Sequence, residues 1–239
     1  PRLMTIFCLT VTCASQRGIV AAISGKLAEL GCNITDSSQF DDTQTDRFFM
    51  RVSFRSETGA ELAKIRESFA PIAERFGMTH AFHDERVKMK VVIMVSRFGH
   101  CLNDLLYRWR IGALPMQILS DEMCQKMSGR IINIHHSFLP SFKGANPYKQ
   151  AFVRGVKLIG ATSHYVTADL DEGPIIEQDT VRVTHAQSPE DYVSLGRDVE
   201  SQVLARAIHA HANHRVFLNG NKTVVFQASP GSYSSERMG

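Results

Sequence analysis

Residues 3–30 read LMTIFCLTVTCASQRGIVAAISGKLAEL, a β-type stretch followed at once by a helical one. Leu3 to Thr12 is rich in Thr, Val, Ile and Phe, which predicts a strand. Gly18 then opens an apolar helical segment, Ile19 to Leu30, which ends at Gly31. A strand followed directly by a helix predicts a domain in which helices pack on a sheet.

The residues up to about 85 extend this pattern into one small domain. Two further strands are predicted at Asn33–Phe40 and Arg47–Phe54, and a second helix at Ala60–Phe76 has apolar residues at helical spacing. A short strand at Met78–Phe82 completes the set. The order β-α-β-β-α-β is that of the split βαβ, or ferredoxin-like, arrangement, an antiparallel sheet with two helices on one face. We predict this α+β domain over residues 1–84.

The rest of the chain predicts a second domain of a different class. A charged linker at His83–Lys90 precedes Val91–Val95, a run of five apolar residues typical of a strand buried on both faces of a parallel sheet. Arg130–Ile134 and Leu158–Val166 predict two more buried strands, and Asp191–His214 predicts a long closing helix. A helix at Cys101–Arg110 and an edge strand at Val224–Phe226 complete the prediction.

These elements make the chain α/β overall, with a doubly wound, mostly parallel, Rossmann-like second domain over residues 85–227. The interval Ile111–Arg130 holds only 20 residues, fewer than the roughly 30 of a βαβ crossover. It accommodates one short strand, Met116–Leu119, and one short helix. Residues 228–239 are rich in Ser, Gly and Pro and are expected to be disordered.

Composition narrows the classes of function. The 27 Lys and Arg residues against 24 Asp and Glu residues give a net charge of +3, and the interspersed signs predict no nucleic-acid partner. No run of about 18 apolar residues occurs, so no membrane span is expected. The five cysteines lack the paired spacing of a disulfide framework or a zinc site. We therefore expect a cytoplasmic protein without a bound metal.

The densest polar cluster is Asn133-Ile134-His135-His136-Ser137-Phe138-Leu139-Pro140, at the end of a predicted strand. Because side chains alternate across a strand, Asn133 and His135 share one face. An asparagine amide can stabilise a developing oxyanion, and a histidine can exchange a proton near neutral pH. A single histidine is more often a core residue, but an Asn/His pair that runs into a Pro-terminated loop favours catalysis.

A second polar cluster lies on the next strand and in the loop after it. Thr162 and His164 share one face by the same alternation. The following loop contains Asp169-Leu170-Asp171-Glu172-Gly173-Pro174, whose composition is that of a turn. Asp169 fits that turn, whereas Asp171 fits either the turn or a carboxylate that orients a histidine and stabilises its protonated form.

The segments 133–140 and 170–176 resemble those of the formyltetrahydrofolate deformylases, hydrolases of the wider formyltransferase family. The resemblance covers nearly the whole chain. The first domain is similar to an ACT regulatory domain, with Gly18–Ser24, Gly31–Ile34 and Phe48–Val52 as its markers. The resemblance implies hydrolysis of 10-formyltetrahydrofolate to formate and tetrahydrofolate, which supplies formate for purine and one-carbon metabolism, without a permanently bound cofactor.

The resemblance also implies roles for individual residues. The Asn, His and Asp triad of the family falls on Asn133, His135 and Asp171, and its auxiliary histidine falls on His164. The segment 116–119 resembles the one that walls the folate pterin pocket. The predicted substrate-binding residues are Met116, Gln117, Ile118, Leu119, Thr162, Asp169 and Leu170.

The sequence departs from this family in two places. Relatives carry two further β-α units between the positions of Pro115 and Met116, and their absence here implies fewer sheet strands and a smaller folate groove. Relatives also carry an acidic residue before the first helix, where this chain has Ser15.

Two other functions stay open. A formyltransferase that passes the formyl group to an amine such as glycinamide ribonucleotide would need a phosphate cradle, of which Ser96-Arg97-Phe98-Gly99-His100 supplies little. A non-catalytic amino-acid sensor would use the first domain alone. The ACT resemblance further implies an amino-acid effector, glycine or methionine, and assembly into a homo-oligomer, a dimer or a tetramer.

Overall fold

A computed structural model of the chain describes residues 5–91, 101, 105, 116–118, 131–137, 147–166 and 173–227, and for residues 116–118 it describes the main chain alone. The tail 228–239, predicted to be disordered, lies outside these residues. The chain divides into two compact units, Pro1–Lys88 and Met89–Gly239.

The first unit contains a four-stranded antiparallel sheet and two helices. Its elements are β1 (Ile6–Ala14), α1 (Ile19–Glu29), β2 (Cys32–Asp42), β3 (Arg47–Ser56), α2 (Leu62–Arg75) and β4 (Thr79–Asp84). The strands are ordered β2-β3-β1-β4, and each neighbouring pair is antiparallel. The predicted β-α-β-β-α-β order is confirmed, with small shifts at the ends of the elements.

The core of the first unit lies between the two helices and one face of the sheet. Alternation along β1 directs Phe7, Leu9 and Val11 to that face, where they belong to one buried cluster with Ile23 of α1 and Phe69 of α2. Burying one such side chain contributes about 1.5–3 kcal/mol. The alternate apolar residues of β1 therefore determine which face of the sheet the helices cover.

The second unit contains several short sheets and two described helices. Its described elements are β5 (Met89–Val91), β6 (Met116–Ile118), β7 (Ile132–His135), α3 (Pro147–Val153), β8 (Leu158–Tyr165), β9 (Ile175–Arg182), α4 (Pro189–Ala212), β10 (Val216–Asn219) and β11 (Lys222–Val225). β5 and β6 pair parallel, and β10 and β11 pair antiparallel. β7, β8 and β9 form an antiparallel sheet in that order.

The described strands depart from the predicted mostly parallel sheet. β8 pairs antiparallel with β7 on one side and with β9 on the other. The prediction treated the buried character of this segment as a sign of parallel pairing. The six residues 159–164 are indeed buried, but burial on both faces requires only that both faces are covered. A central antiparallel strand meets that requirement as well as a parallel one.

Several boundaries also differ from the prediction. β4 extends to Asp84 and β5 begins at Met89, so the connection is shorter than the predicted linker His83–Lys90. The patterns did not predict α3, β9 or β10. The predicted strand Val91–Val95 and helix Cys101–Arg110 lie largely outside the described residues.

α4 begins two residues before the predicted start because of a capping box at its N-terminus. The Asp191 backbone N–H donates to Ser188 Oγ at 3.2 Å, and the Ser188 backbone N–H donates to Asp191 Oδ2 at 2.8 Å. Pro189 occupies the first turn, where no N–H is needed. α4 has 24 residues, yet neither it nor any other helix in the described part of the chain is both long and apolar enough to cross a membrane.

Tyr148 of α3 packs against α4. Its buried hydroxyl donates to Glu200 Oε1 at 2.6 Å, and Glu200 is itself only 5% exposed. Burial and the adjacent Glu200 carboxylate raise the pKa of Tyr148, so that the hydroxyl stays protonated and donates. The tyrosine ring lies directly against Gly196, where a Cβ atom would overlap the ring carbon Cζ. This contact fixes where α3 sits on α4.

Gly196→Ala is expected to lower the free energy of unfolding by about 2 kcal/mol, because the new methyl group overlaps a buried ring. Urea unfolding would measure the loss. Gly25→Ala in α1 is the matched control: Gly25 is also helical, but apart from its chain neighbours and the backbone of its own helix no atom lies within 4 Å of the new Cβ. The control should gain about 0.5–1 kcal/mol. Equal gains for the two variants would contradict the described contact between Gly196 and Tyr148.

Candidate active site

β7 and β8 place four of the predicted site residues on one face of the sheet. In their antiparallel register, Asn133 lies opposite His164 and His135 lies opposite Thr162. Residues directly opposite each other project to the same side, and residues two apart along a strand also do. The pair Asn133 and His135 and the pair Thr162 and His164, which are separate in the sequence, therefore form one polar cluster.

The imidazole of His164 joins Asn133 to the backbone of β8. Its Nδ1 lies 2.9 Å from the Tyr165 carbonyl oxygen, and its Nε2 lies 3.5 Å from Asn133 Nδ2. Because a carbonyl oxygen can only accept, Nδ1 carries the proton, and in the neutral ring Nε2 then accepts from the Asn133 amide. His164 is 2% exposed. It therefore orients the Asn133 amide from within the sheet.

His135 is the last residue of β7. It is 7% exposed, and its ring stacks on that of the exposed His136, with 5.5 Å between the ring centroids. Alternation along β7 brings His135 to the face shared with Asn133, and His136 lies just beyond the end of the strand. A proton-exchanging imidazole and an amide donor thus lie two residues apart on one surface, the combination that carbonyl chemistry needs.

Thr162 is fully buried, and its hydroxyl bonds to protein groups on both sides. Thr162 Oγ1 donates to the Ser137 carbonyl oxygen at 2.9 Å and accepts from Gln178 Nε2 at 2.9 Å. Thr162 was predicted as a substrate contact. The structure places its side chain between β9 and the residues that follow β7.

The described ends of the loop that contains Asp171 lie beside His164. The Tyr165 N–H donates to the Pro174 carbonyl at 3.0 Å. Gly173 is buried against the Tyr165 carbonyl oxygen, which a Cβ atom at this position would overlap. The same Cβ would come within 3.2 Å of His164 Nδ1. The chain therefore returns to β9 in direct contact with the site, two residues after Asp171.

Tyr165 and Gln178 are site neighbours that the sequence did not predict. The hydroxyl of Tyr165 lies 2.7 Å from His211 Nδ1, near the end of α4. Burial raises the pKa of Tyr165 to about 12, so it stays neutral. Gln178 lies opposite Thr162 in the β8–β9 register. Gln178 is one of several polar residues in β9, so its residue type gives no signal, and only the strand register shows what it contacts.

Seven further predicted site residues lie outside the part of the chain whose side chains the structure describes. Leu119, Asp169, Leu170 and Asp171 lie outside the described residues, and Met116–Ile118 forms β6, with its main chain alone described. Within the described ranges, no group of three His, Cys, Asp or Glu side chains is arranged to hold a metal ion.

Comparison with known families identifies both units. The ACT domain family matches residues 9–70, and the formyl transferase family matches residues 110–208. A formyltetrahydrofolate deformylase of Corynebacterium sp. (strain P-1) is 38% identical over 92% of this chain and 97% of its own length. The Bacillus subtilis (strain 168) deformylase is 39% identical over 91% and 93%. This chain belongs to the formyltetrahydrofolate deformylase family.

Solved structures agree with this membership. A formyltetrahydrofolate deformylase from Pseudomonas syringae pv. tomato superposes with a TM-score of 0.84 at 41% identity, covering 95% of this chain and 96% of that one. The deformylase from Burkholderia mallei gives 0.83 at 43% identity. A glycinamide ribonucleotide transformylase from Symbiobacterium toebii gives 0.54 at 24% identity and shares the fold alone. Neither the transferase nor the sensor alternative is favoured by these matches.

The family alignments also show that this chain is shorter internally than its relatives. The alignment with the Corynebacterium deformylase extends over 278 positions, more than the 239 residues of this chain, and covers 97% of that relative. The relative therefore has residues within the aligned range that have no counterpart here. Their predicted position, between Pro115 and Met116, stays a prediction.

Proposed function

We propose that this deformylase family member hydrolyses 10-formyltetrahydrofolate to formate and tetrahydrofolate at a site formed by Asn133, His135 and Asp171, with His164 in support. As a member of the family, the chain is a hydrolase of the formyl C–N bond. The observation that supports this location most directly is the β7–β8 register, which brings both polar strand pairs to one face.

Asn133 is proposed to donate its amide N–H to the formyl oxygen as water adds to the formyl carbon. Negative charge develops on that oxygen in the tetrahedral intermediate, and a fixed neutral donor stabilises it without having to reorganise. The contact with His164 Nε2, at 3.5 Å, uses one N–H of the same amide. The other N–H can then face the substrate.

His135 is proposed to supply a positive charge, as an imidazolium ion beside the same oxygen. Asp171 is proposed to stabilise that protonated ring and to help position the attacking water. The position of Gly173 beside His164 supports this role, because it brings the chain to the site two residues after Asp171. Water adds to carbon and gives up a proton, the C–N bond breaks, and a proton passes to the departing nitrogen, so that formate and tetrahydrofolate are released.

Binding of the folate is proposed to use residues of the second unit. Residues 116–119 would wall the pterin ring, with Asp169 and Leu170 contributing from the loop before Asp171. Thr162, whose side chain is buried, is proposed to be part of the substrate-binding site. No permanently bound cofactor is required for this hydrolysis, since water is the only co-substrate.

The first unit is proposed to bind an amino-acid effector, glycine or methionine, and to support assembly into a homo-oligomer, either a dimer or a tetramer. The ACT match over residues 9–70 supports both proposals.

A cytoplasmic location is proposed as well. It is supported by the spacing of the five cysteines, which lacks the pairing of a disulfide framework.

The direct test is an assay with 10-formyltetrahydrofolate and no amine acceptor. The purified chain should release formate and tetrahydrofolate in equal amounts, measured by coupled oxidation of formate and by folate absorbance. Addition of glycinamide ribonucleotide should leave the rate unchanged. A rate that depends on the amine would support a transferase instead, and no formate release would contradict the proposal.

A further inference from the structure

We propose that Gln178 of β9 is a positioning residue for this reaction, acting on His135 through Thr162 and the Ser137 carbonyl. The inference rests on the proposed function, because it assigns a role in the same site. Gln178 has no expected contact with the substrate. Its effect passes through hydrogen bonds that anchor the chain where β7 ends.

His135, Thr162 and Gln178 lie in one line across the three strands of the antiparallel sheet. His135 lies opposite Thr162 in the β7–β8 register, and Thr162 lies opposite Gln178 in the β8–β9 register. Gln178 Nε2 is 2.9 Å from Thr162 Oγ1, which is 2.9 Å from the Ser137 carbonyl oxygen. Thr162 is fully buried and Ser137 is 4% exposed. The hydrogen bonds that run from Gln178 through Thr162 therefore end at Ser137, two residues beyond His135.

The hydrogen bonds along this line have a definite direction. The Ser137 carbonyl can only accept, so it takes the one proton of the Thr162 hydroxyl. Thr162 Oγ1 must then accept from its other neighbour, which requires the Nε2 amide of Gln178 and not its carbonyl oxygen. A donor at position 178 is thus what leaves the threonine proton available to Ser137.

This direction gives Gln178 a defined effect on the site. With the donor present, the Ser137 carbonyl is held against β8, and the turn that follows His135 is held with it. With an acceptor at position 178, the Thr162 hydroxyl can donate to it instead of to Ser137. With no polar group there, the hydroxyl loses one of the two hydrogen bonds that orient it. The backbone after His135 then gains freedom, and small displacements of a catalytic group have large effects on rate.

The test replaces Gln178 with two side chains of similar length that cannot donate at neutral pH. Gln178→Glu keeps the shape but presents an acceptor to Thr162, and Gln178→Met removes hydrogen bonding altogether. Both should lower kcat for formate release about tenfold at neutral pH, the effect of one lost hydrogen bond. KM should change less than kcat.

The pH dependence separates positioning from a general loss of packing. A glutamic acid donates again once it is protonated, and partial burial raises its pKa above the ordinary value of about 4.3. The ratio of kcat for Gln178→Glu to kcat for the wild type should therefore rise as the pH falls from about 8 to about 5. The same ratio for Gln178→Met should stay flat.

Gln187→Glu is the matched control. Gln187 accepts from the Thr184 N–H through its Oε1 at 2.7 Å, so a carboxylate can replace it without losing a bond. Its kcat should match the wild type at every pH. Wild-type kcat in Gln178→Glu, or a reduced ratio that does not respond to pH, would overturn the positioning role. Failure of the wild type to release formate would instead overturn the proposed function.

Discussion

His135→Ala is expected to lower kcat for formate release about 10³-fold, within the range of about 10² to 10⁴ that acid–base side chains contribute. The ring is 7% exposed and lies at the end of β7, on the face that also carries Asn133. Removing it takes away the charge proposed to face the developing oxyanion. KM for the folate should change much less, because the alanine variant keeps the residues proposed to bind the pterin. Steady-state kinetics would measure both parameters.

His185→Ala provides the matched control for this variant. His185 is the same residue type, and it is exposed in the connection between β9 and α4. It should retain most of the activity. His135→Gln keeps side-chain volume without an ionisable ring, so it should lose as much activity as alanine while remaining folded. Near-normal kcat in a folded His135→Gln variant would exclude His135 from the catalytic step.

Gly173→Ala is expected to lower kcat about 10²-fold, the size of effect that a displacement of about 1 Å can have on a catalytic group. The added methyl group would overlap the Tyr165 carbonyl oxygen and approach His164 Nδ1. The backbone at 173 must move away from β8, which shifts the chain that carries Asp171. It also disturbs the carbonyl that determines the tautomer of His164. Single-turnover measurements would show the loss in the chemical step.

Thr180→Ala is the control for the glycine variant, since Thr180 is exposed on the same strand, β9. It should keep wild-type kcat. The crystal structure of Gly173→Ala would show directly whether the segment moves. Unchanged kcat together with a displaced segment at residue 173 would contradict the proposed role of Asp171 in the chemical step.

The first unit was predictable nearly in full from local patterns. Alternating apolar residues in β1 and helical spacing in α2 each repeat within a few residues, so the signal does not depend on distant parts of the chain. The strand order β2-β3-β1-β4 follows from the split βαβ connectivity. The second unit was less predictable. Its β8 is buried on both faces, which removes the alternation that would have marked the strand as antiparallel.

The candidate site was also predictable from the sequence only in part. Asn133 with His135, and Thr162 with His164, were recognised as pairs because residues two apart on a strand share a face. That the two pairs meet follows from the β7–β8 register, which joins residues about 30 positions apart in the chain. Gln178 was missed for this reason: its partner Thr162 is reached only across β8 and β9.

The sequence by itself determined which residue types stand on each strand face, and its motifs placed the chain in its family. Both properties are carried by short-range spacing and by the chemistry of single side chains. The tertiary structure alone decided the direction of the β8 pairings, the tautomer of His164 and the hydrogen-bonded line from Gln178 to Ser137. These depend on which strands become neighbours and in what register, and a free-energy balance over the whole unit sets that choice.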